Sequence, residues 1–248
     1  MSFTTNALVL KVTDSGESDR IVTLLTAEYG IIRAFANRAK RMNSKIQAAT
    51  QTLCYGEFTV YTGRDSYVIN SAESKEVFFG LRDDMAALSL GQYFCRLAMD
   101  LVPEGEPAPD SLRVILNSLS FLGSGRRAPG FVKAVTELKL ISLAGYSPDI
   151  LSCGECGENP PGNMYFDTRG GRLYCPQHRK GDMLITPGVL TAMRHIILNP
   201  IDRIYSFSLS PGDEAMLEAA SEKFLLNQTG KTYTALEYYK TFSAEQKG

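Results

Sequence analysis

No sign of charge dominates this chain: 26 Lys and Arg stand against 27 Asp and Glu, a formal net charge of -1 over 248 residues. Whole-surface attraction to a polyanion is thereby excluded, and any nucleic-acid binding must come from a local patch. No apolar stretch approaches the ~18–20 residues that span a bilayer. The opening residues, Met1 to Asn6, lack the basic region and long apolar core of a secretory signal. The expectation is a soluble cytoplasmic protein with no membrane partner. Histidine is scarce, with only His178 and His195 present, so Ser-His-Asp or Cys-His catalysis is hard to build. The phosphate loop, the dinucleotide-binding glycine fingerprint and the nucleophile elbow are all missing. No catalytic residue is therefore expected, and the chain does not read as an enzyme. What is present is ordinary for a globular protein: 44% apolar and 21% charged residues.

Cysteine is sparse too, and the five present are unevenly placed. An odd, low count disfavours a disulfide framework. Three cysteines cluster with a histidine as Cys153-x2-Cys156, eighteen intervening residues, then Cys175-x2-His178. Ligands two residues apart suit a tight knuckle in which both side chains reach one ion. The span between the pairs is rich in Gly and Pro, and a hairpin through Gly170-Gly171 would return the second pair to the first. No βαβ pattern supports a thioredoxin-like reading, and no His-x-Glu supports a zinc deaminase. Four protein ligands leave no open position for water, so the expectation is structural zinc on Cys153, Cys156, Cys175 and His178. Cys54 and Cys95 sit among apolar residues and read as buried thiols.

Periodicity divides the chain. Residues 1–80 hold five β-rich runs with turn signals between them, among them Ile21 to Thr26, Ile31 to Ala36 and Tyr67 to Ile69. Such a pattern suggests a small barrel of the OB type, with a short helix or loop over 44–50. From residue 81 the period becomes helical. Met85 to Val102 is apolar on two sides, which marks a helix buried between neighbours. Asp110 is placed to cap the next helix, and Phe131 to Ala144 is a third, ended by Gly145. Beyond the clip, Thr186-Pro187 starts another helix, with His195 on its exposed side, and Ser210-Pro211 starts one that Gly230 ends. The expected architecture is α+β and multidomain: an N-terminal OB-fold barrel (1–80) followed by an all-α domain (81–150 and 183–248), interrupted by a zinc-ribbon-like clip (151–182).

Charge is segregated along the chain. Between Glu28 and Glu57 there is no acidic residue, yet Arg33, Arg38, Lys40, Arg41 and Lys45 all fall there. That stretch carries +5 and leaves -6 for the rest. Long basic side chains in a loop reach phosphates, and each phosphate neutralised releases counterions, so affinity should fall with salt. Arg38, Lys40, Arg41 and Lys45 are the principal phosphate-binding candidates, with Arg33 and Lys11 secondary. Tyr55, Phe58, Tyr61 and Tyr67 are candidates to stack on bases or to fill the barrel. Arg126, Arg127, Arg169, Arg172, Arg179 and Lys180 are candidates to extend the basic surface.

The order barrel, helices, Cys-rich clip, together with four segments, resembles the RecO family of bacterial recombination mediators. Those segments are Gly16 to Gly30 (beginning Gly16-Glu17-Ser18-Asp19-Arg20), Arg38 to Lys45, Leu140 to Pro148, and the clip from Cys153 to His178. The resemblance covers essentially the whole chain. Family members often carry four cysteines in the clip; here His178 takes the fourth place. The resemblance implies binding of single- and double-stranded DNA, ATP-independent annealing and action with RecR. It also implies recognition of the C-terminal tail of the single-strand-binding protein SSB, indirect service to RecA, and a cytoplasmic, nucleoid-associated setting. A different class of function is open to the same features: a zinc-containing OB-fold adaptor that binds RNA or an acidic protein partner.

Overall fold

The computed structural model describes residues 2–41, 44–63 and 66–245. Met42 and Asn43 of the basic segment, and Arg64 and Asp65 of the expected turn after Thr62, lie outside them. Two compact units are formed, one from Met1–Ser124 with Thr234–Gly248, the other from Gly125–Tyr233.

The first unit begins with five strands: β1 (Ser2–Ser15), β2 (Asp19–Thr26), β3 (Gly30–Ala36), β4 (Cys54–Thr62) and β5 (Tyr67–Val77). They close into a barrel in the order β1-β2-β3-β5-β4, with β4 returning to β1. All pairings are antiparallel except β3 with β5. The strands are not all short, as the sequence suggested. β1 runs for 14 residues because its first half pairs with β4 and its second with β2, around a bulge between Val9 and Lys11. Bulges of this kind bend a strand so that it can serve two neighbours in a small barrel. Alternation sorts the side chains: Ile32, Ala34 and Ala36 of β3 point into a core shared with Val22, Leu24, Phe58 and Val60, while Arg33 and Phe35 point out. Residues 44–50 form turns rather than a regular helix.

Three helices complete this unit: α1 (Met85–Leu101), α2 (Pro109–Ser124) and the later helix Thr234–Glu245. Asp84 caps α1, accepting from the Ala86 and Ala87 N–H groups at 2.8 and 3.2 Å. Asp110 lies inside the first turn of α2, which starts one residue earlier, so it favours the helix dipole rather than capping it. Both helices pack on β1, and α2 also on β2. Leu8, Leu25 and Ile31, paired side by side on the barrel's outer face, are consequently buried. The apolar run over β2 is near-continuous for that reason: this end of the strand is buried on both sides. The terminal helix packs on α1 through Leu236 and Tyr239; its weak apolar periodicity hid it from sequence reading.

In the second unit, α3 (Pro129–Leu143) is buried at every position from Phe131 to Ile141. A four-stranded sheet follows, ordered β6 (Asp149–Cys153), β8 (Arg172–Tyr174), β7 (Met164–Asp167), β9 (Met183–Ile185). Then come α4 (Pro187–Leu198) and α5 (Pro211–Thr229), both packed on α3, and, last in the chain, α6, the terminal helix of the first unit. Thr186 and Ser210 cap α4 and α5, and Gly230 ends α5 in the left-handed conformation at φ 63°. His195 is not a free surface residue. Residues 203–207 fold over it, so its Nε2 meets the Arg203 carbonyl at 2.8 Å and its ring lies 5.1 Å from that of Phe207.

Candidate metal centre and nucleic-acid interface

The second unit brings the four predicted ligands together. Cys153 ends β6, and the chain turns back at once: Gly157 N–H donates to the Cys153 carbonyl at 2.9 Å, and Cys153 N–H to that of Glu158 at 2.8 Å. A second knuckle follows β8, where His178 N–H donates to the Cys175 carbonyl at 2.9 Å. The β7–β8 hairpin, turning through Gly170-Gly171, supplies the return. All four ligand atoms lie within 4.8 Å of one another. Cys175 Sγ is 3.2 Å and Cys153 Sγ 3.7 Å from His178 Nδ1, and Cys156 Sγ is 3.9 Å from Cys175 Sγ. A tetrahedron with ~2.3 Å metal–sulfur bonds has edges of ~3.8 Å, so the cluster could hold one metal ion. Burial works against ionisation of Cys153. The N–H groups of Cys156, Cys175 and Glu155 together overcome it and hold the thiol down to about 6, favouring the thiolate that binds metal. Cys95, by contrast, is pushed up to about 12 by burial alone.

A clasp from α5 fixes the hairpin that carries this cluster. Asp182 accepts from the Thr168 N–H and hydroxyl, both at 2.8 Å, and pairs with Lys223 at 2.7 Å. Asn227 donates to Thr168 Oγ1, and Gln228 to the Arg169 carbonyl, each at 2.8 Å. Although desolvation opposes it, the Lys223 and Thr168 donors hold the Asp182 carboxyl at about 2.

The basic segment looks different once folded. Lys40 Nζ pairs with Asp14 at 3.1 Å, and Arg33 pairs with Glu104 at 2.9 Å. The Arg38 N–H donates to the Asp19 carboxylate at 2.7 Å, and Lys40 N–H to the Ser18 carbonyl at 3.0 Å. Residues 38–40 are thus pinned to the β1–β2 turn, with Arg38 at a positive φ of 56°. Exposed and without an ion pair among the described residues are Arg38, Arg41, Lys45 and Lys11. Of the six candidate phosphate contacts, then, four are free and two are neutralised by acids from distant positions.

The aromatic candidates separate as well. Phe58 is fully buried in the barrel core, and Tyr67 lies against Phe3, with ring centroids 6.0 Å apart. Tyr55 is half-buried, and Tyr61 is 52% exposed. Sequence reading passed over Phe35, which is exposed beside Arg33; the alternation along β3 was the signal that could have found it. Among the other basic candidates, Arg127 is committed to the Tyr205 carbonyl and the Phe131 ring, Arg179 to the Pro176 carbonyl, and Lys180 to Glu155. Arg169 and Arg172 remain exposed.

Comparison with known proteins accounts for both units. Residues 1–78 match the family model "Recombination protein O N terminal", and residues 82–237 match "Recombination protein O C terminal". The chain belongs to the RecO family. A DNA repair protein RecO of Acetivibrio thermocellus is 33% identical over 240 residues, covering 96% of each chain. One from Symbiobacterium thermophilum is 28% identical over 245 residues, 96% of this chain and 97% of the relative. One from Clostridium novyi is 28% identical over 238 residues, 96% and 93%. RecO is a family of DNA repair and recombination proteins rather than an enzyme family. No helix among the described residues is long and apolar enough to cross a membrane.

Proposed function

We propose that this chain is a non-catalytic DNA-binding recombination mediator. It binds single- and double-stranded DNA, anneals complementary strands and, with RecR, helps RecA replace SSB. The observation that carries this reading is the exposed, unpaired set Arg38, Arg41 and Lys45 on the barrel of a chain matched along its length by the RecO models. Two DNA strands repel each other; a basic surface that holds both lowers the repulsion and raises their local concentration. The strand order and the parallel β3–β5 pairing support reading the barrel as an OB-fold, a common single-strand-binding scaffold. Lys11 and Arg33 are secondary contacts, and Lys40 is a positioning residue that ties the segment to Asp14. Residues 1–80 are assigned the DNA, residues 151–182 a structural clip, and the helices the SSB tail. The Cys3His donor set favours zinc in the clip. Four protein ligands fill its coordination, so zinc there would stabilise the fold rather than supply a reactive water.

Fluorescence anisotropy of labelled oligonucleotide across a salt series tests the reading. Arg38, Arg41 and Lys45 changed together to Glu should lower affinity about 100-fold and flatten the salt dependence by two to three phosphate equivalents, or about 2 in log-log slope. Unchanged affinity in a folded variant would overturn the assignment.

A further inference from the structure

Helices α1 and α2 cover one half of the barrel's outer face, and the other half is bare. Strand register shows what lies there. Thr13 of β1 pairs with Ile21, Ile21 with Phe35, Phe35 with Val68, and Val68 with Tyr61. Paired residues share a face, so these five side chains form one outward row. At ~4.8 Å per strand, four spacings give a surface path of about 19 Å. Phe35 and Tyr61 are its exposed rings, 37% and 52% accessible, set two strands or about 10 Å apart. A parallel row lies two residues along the strands: Lys11 pairs with Thr23, and Thr23 with Arg33. The two rows are about 7 Å apart. Arg96 of α1 reaches the same groove as Lys11 and Arg33, and a contiguous hollow of about 630 Å³ includes Ile21, Arg33 and Phe35.

We propose that this bare face is a stacking groove for single-stranded nucleic acid, in which Phe35 and Tyr61 take bases while Lys11, Arg33 and Arg96 take the phosphates running beside them. The proposal rests on the DNA-binding reading and adds a site distinct in residues from the 38–45 segment. A row of rings flanked by a row of cations suits a strand whose bases are unpaired. A duplex keeps its base faces stacked on each other and offers the rings nothing. An apolar peptide would not use the cations. Glu104 already occupies the Arg33 guanidinium, held there by its loop: Ile31 N–H donates to the Pro103 carbonyl at 3.2 Å, and Gly105 N–H to that of Tyr29 at 3.0 Å. A side chain at Gly30 would collide with the carbonyls of Pro103 and Glu106, so the loop sits flush on β3. Glu104 therefore stands in for a phosphate. The ion pair is open to solvent on both sides and easily exchanged.

The chain has no tryptophan, so Phe35→Trp places one emission probe in the groove. Oligo-dT should quench it, and duplex of equal length should leave it nearly unchanged. Phe35→Ala with Tyr61→Ala should weaken oligo-dT binding about tenfold with duplex affinity and thermal midpoint preserved. Glu104→Gln should raise oligo-dT affinity several-fold by freeing Arg33. Oligo-dT that binds by anisotropy yet leaves the emission of the Phe35→Trp variant unchanged, or duplex that quenches it equally, overturns the groove while the basic-segment reading stands. Absence of any DNA binding by the unsubstituted protein overturns both.

Discussion

Two clusters in the second unit gather anionic donors around one cation, and they do so in opposite ways. At Cys153, Cys156, Cys175 and His178 the donors sit in knuckles near the surface, with Cys156 exposed, and the cation must come from solution. At Lys133 the chain carries its own cation. The Lys133 ammonium, fully buried on α3, meets Glu222 at 2.9 Å, Glu137 at 3.2 Å and Glu218 at 4.0 Å. Ser221 donates to the other Glu137 oxygen at 2.6 Å. Burial alone would strip the lysine of its proton, but the surrounding carboxylates outweigh it and raise its pKa. One cluster depends on supply from outside, while the other is complete when the chain folds.

Removing the cation from each cluster should expose that contrast. Replacing Cys153 and Cys175 by Ser takes away two ligands at once, and folding free energy tied to a structural ion is lost with them. The thermal midpoint should drop by about 15 °C or more, and chelator should cause a comparable drop in the unsubstituted protein but none in the variant. Lys133→Met is the matched test. It leaves Glu137 buried and uncompensated, at a cost of ~3–5 kcal/mol in urea unfolding; adding Glu137→Leu should recover part of that loss, and chelator should not affect either variant differently from the parent.

The clasp at Asp182 is a smaller case. Its carboxyl is held at about 2 against an ordinary 3.8, so it stabilises the fold above pH 4 and loses that contribution as pH falls towards 2. The side chain is 37% exposed, and solvent screening reduces the effect. Asp182→Asn should flatten the acid limb of the stability curve, read as thermal midpoint against pH. The smallest effect belongs to the basic segment: Lys40→Ala should change DNA affinity less than about threefold, and Arg41→Ala more, because Asp14 already neutralises Lys40. Equal effects in an anisotropy titration would mean that the ion pair opens when DNA binds.

What could be read from sequence follows the same division. The ligand cluster was legible because its geometry is local: two knuckles and a glycine hairpin bring it together within 26 residues of chain. The barrel was legible from strand alternation and turns. Lys133 and Glu137 were not noticed, since four-residue spacing on a helix usually marks a solvated pair and only α5 makes it a core feature. The charge run at 33–45 was seen, but its partners Asp14, Asp19 and Glu104 arrive from other elements, and a count of local charge cannot include them. Phe58 was grouped with the stacking candidates because proximity in sequence does not say which face of a strand a ring is on; Phe35 lay on the right face and outside that group.

The pairing of α6 with α1 has a consequence for synthesis. Residues 125–233 form an uninterrupted unit, whereas the first unit is completed only by Thr234–Glu245. On the ribosome, where domains fold as they emerge at ~5–20 residues per second, the N-terminal barrel is made first, yet the apolar side of α1 meant for Leu236 and Tyr239 stays uncovered until the last turns emerge. The segment made first is thus finished last, and a chaperone that shields α1 in that interval would act on the half of the molecule synthesised earliest.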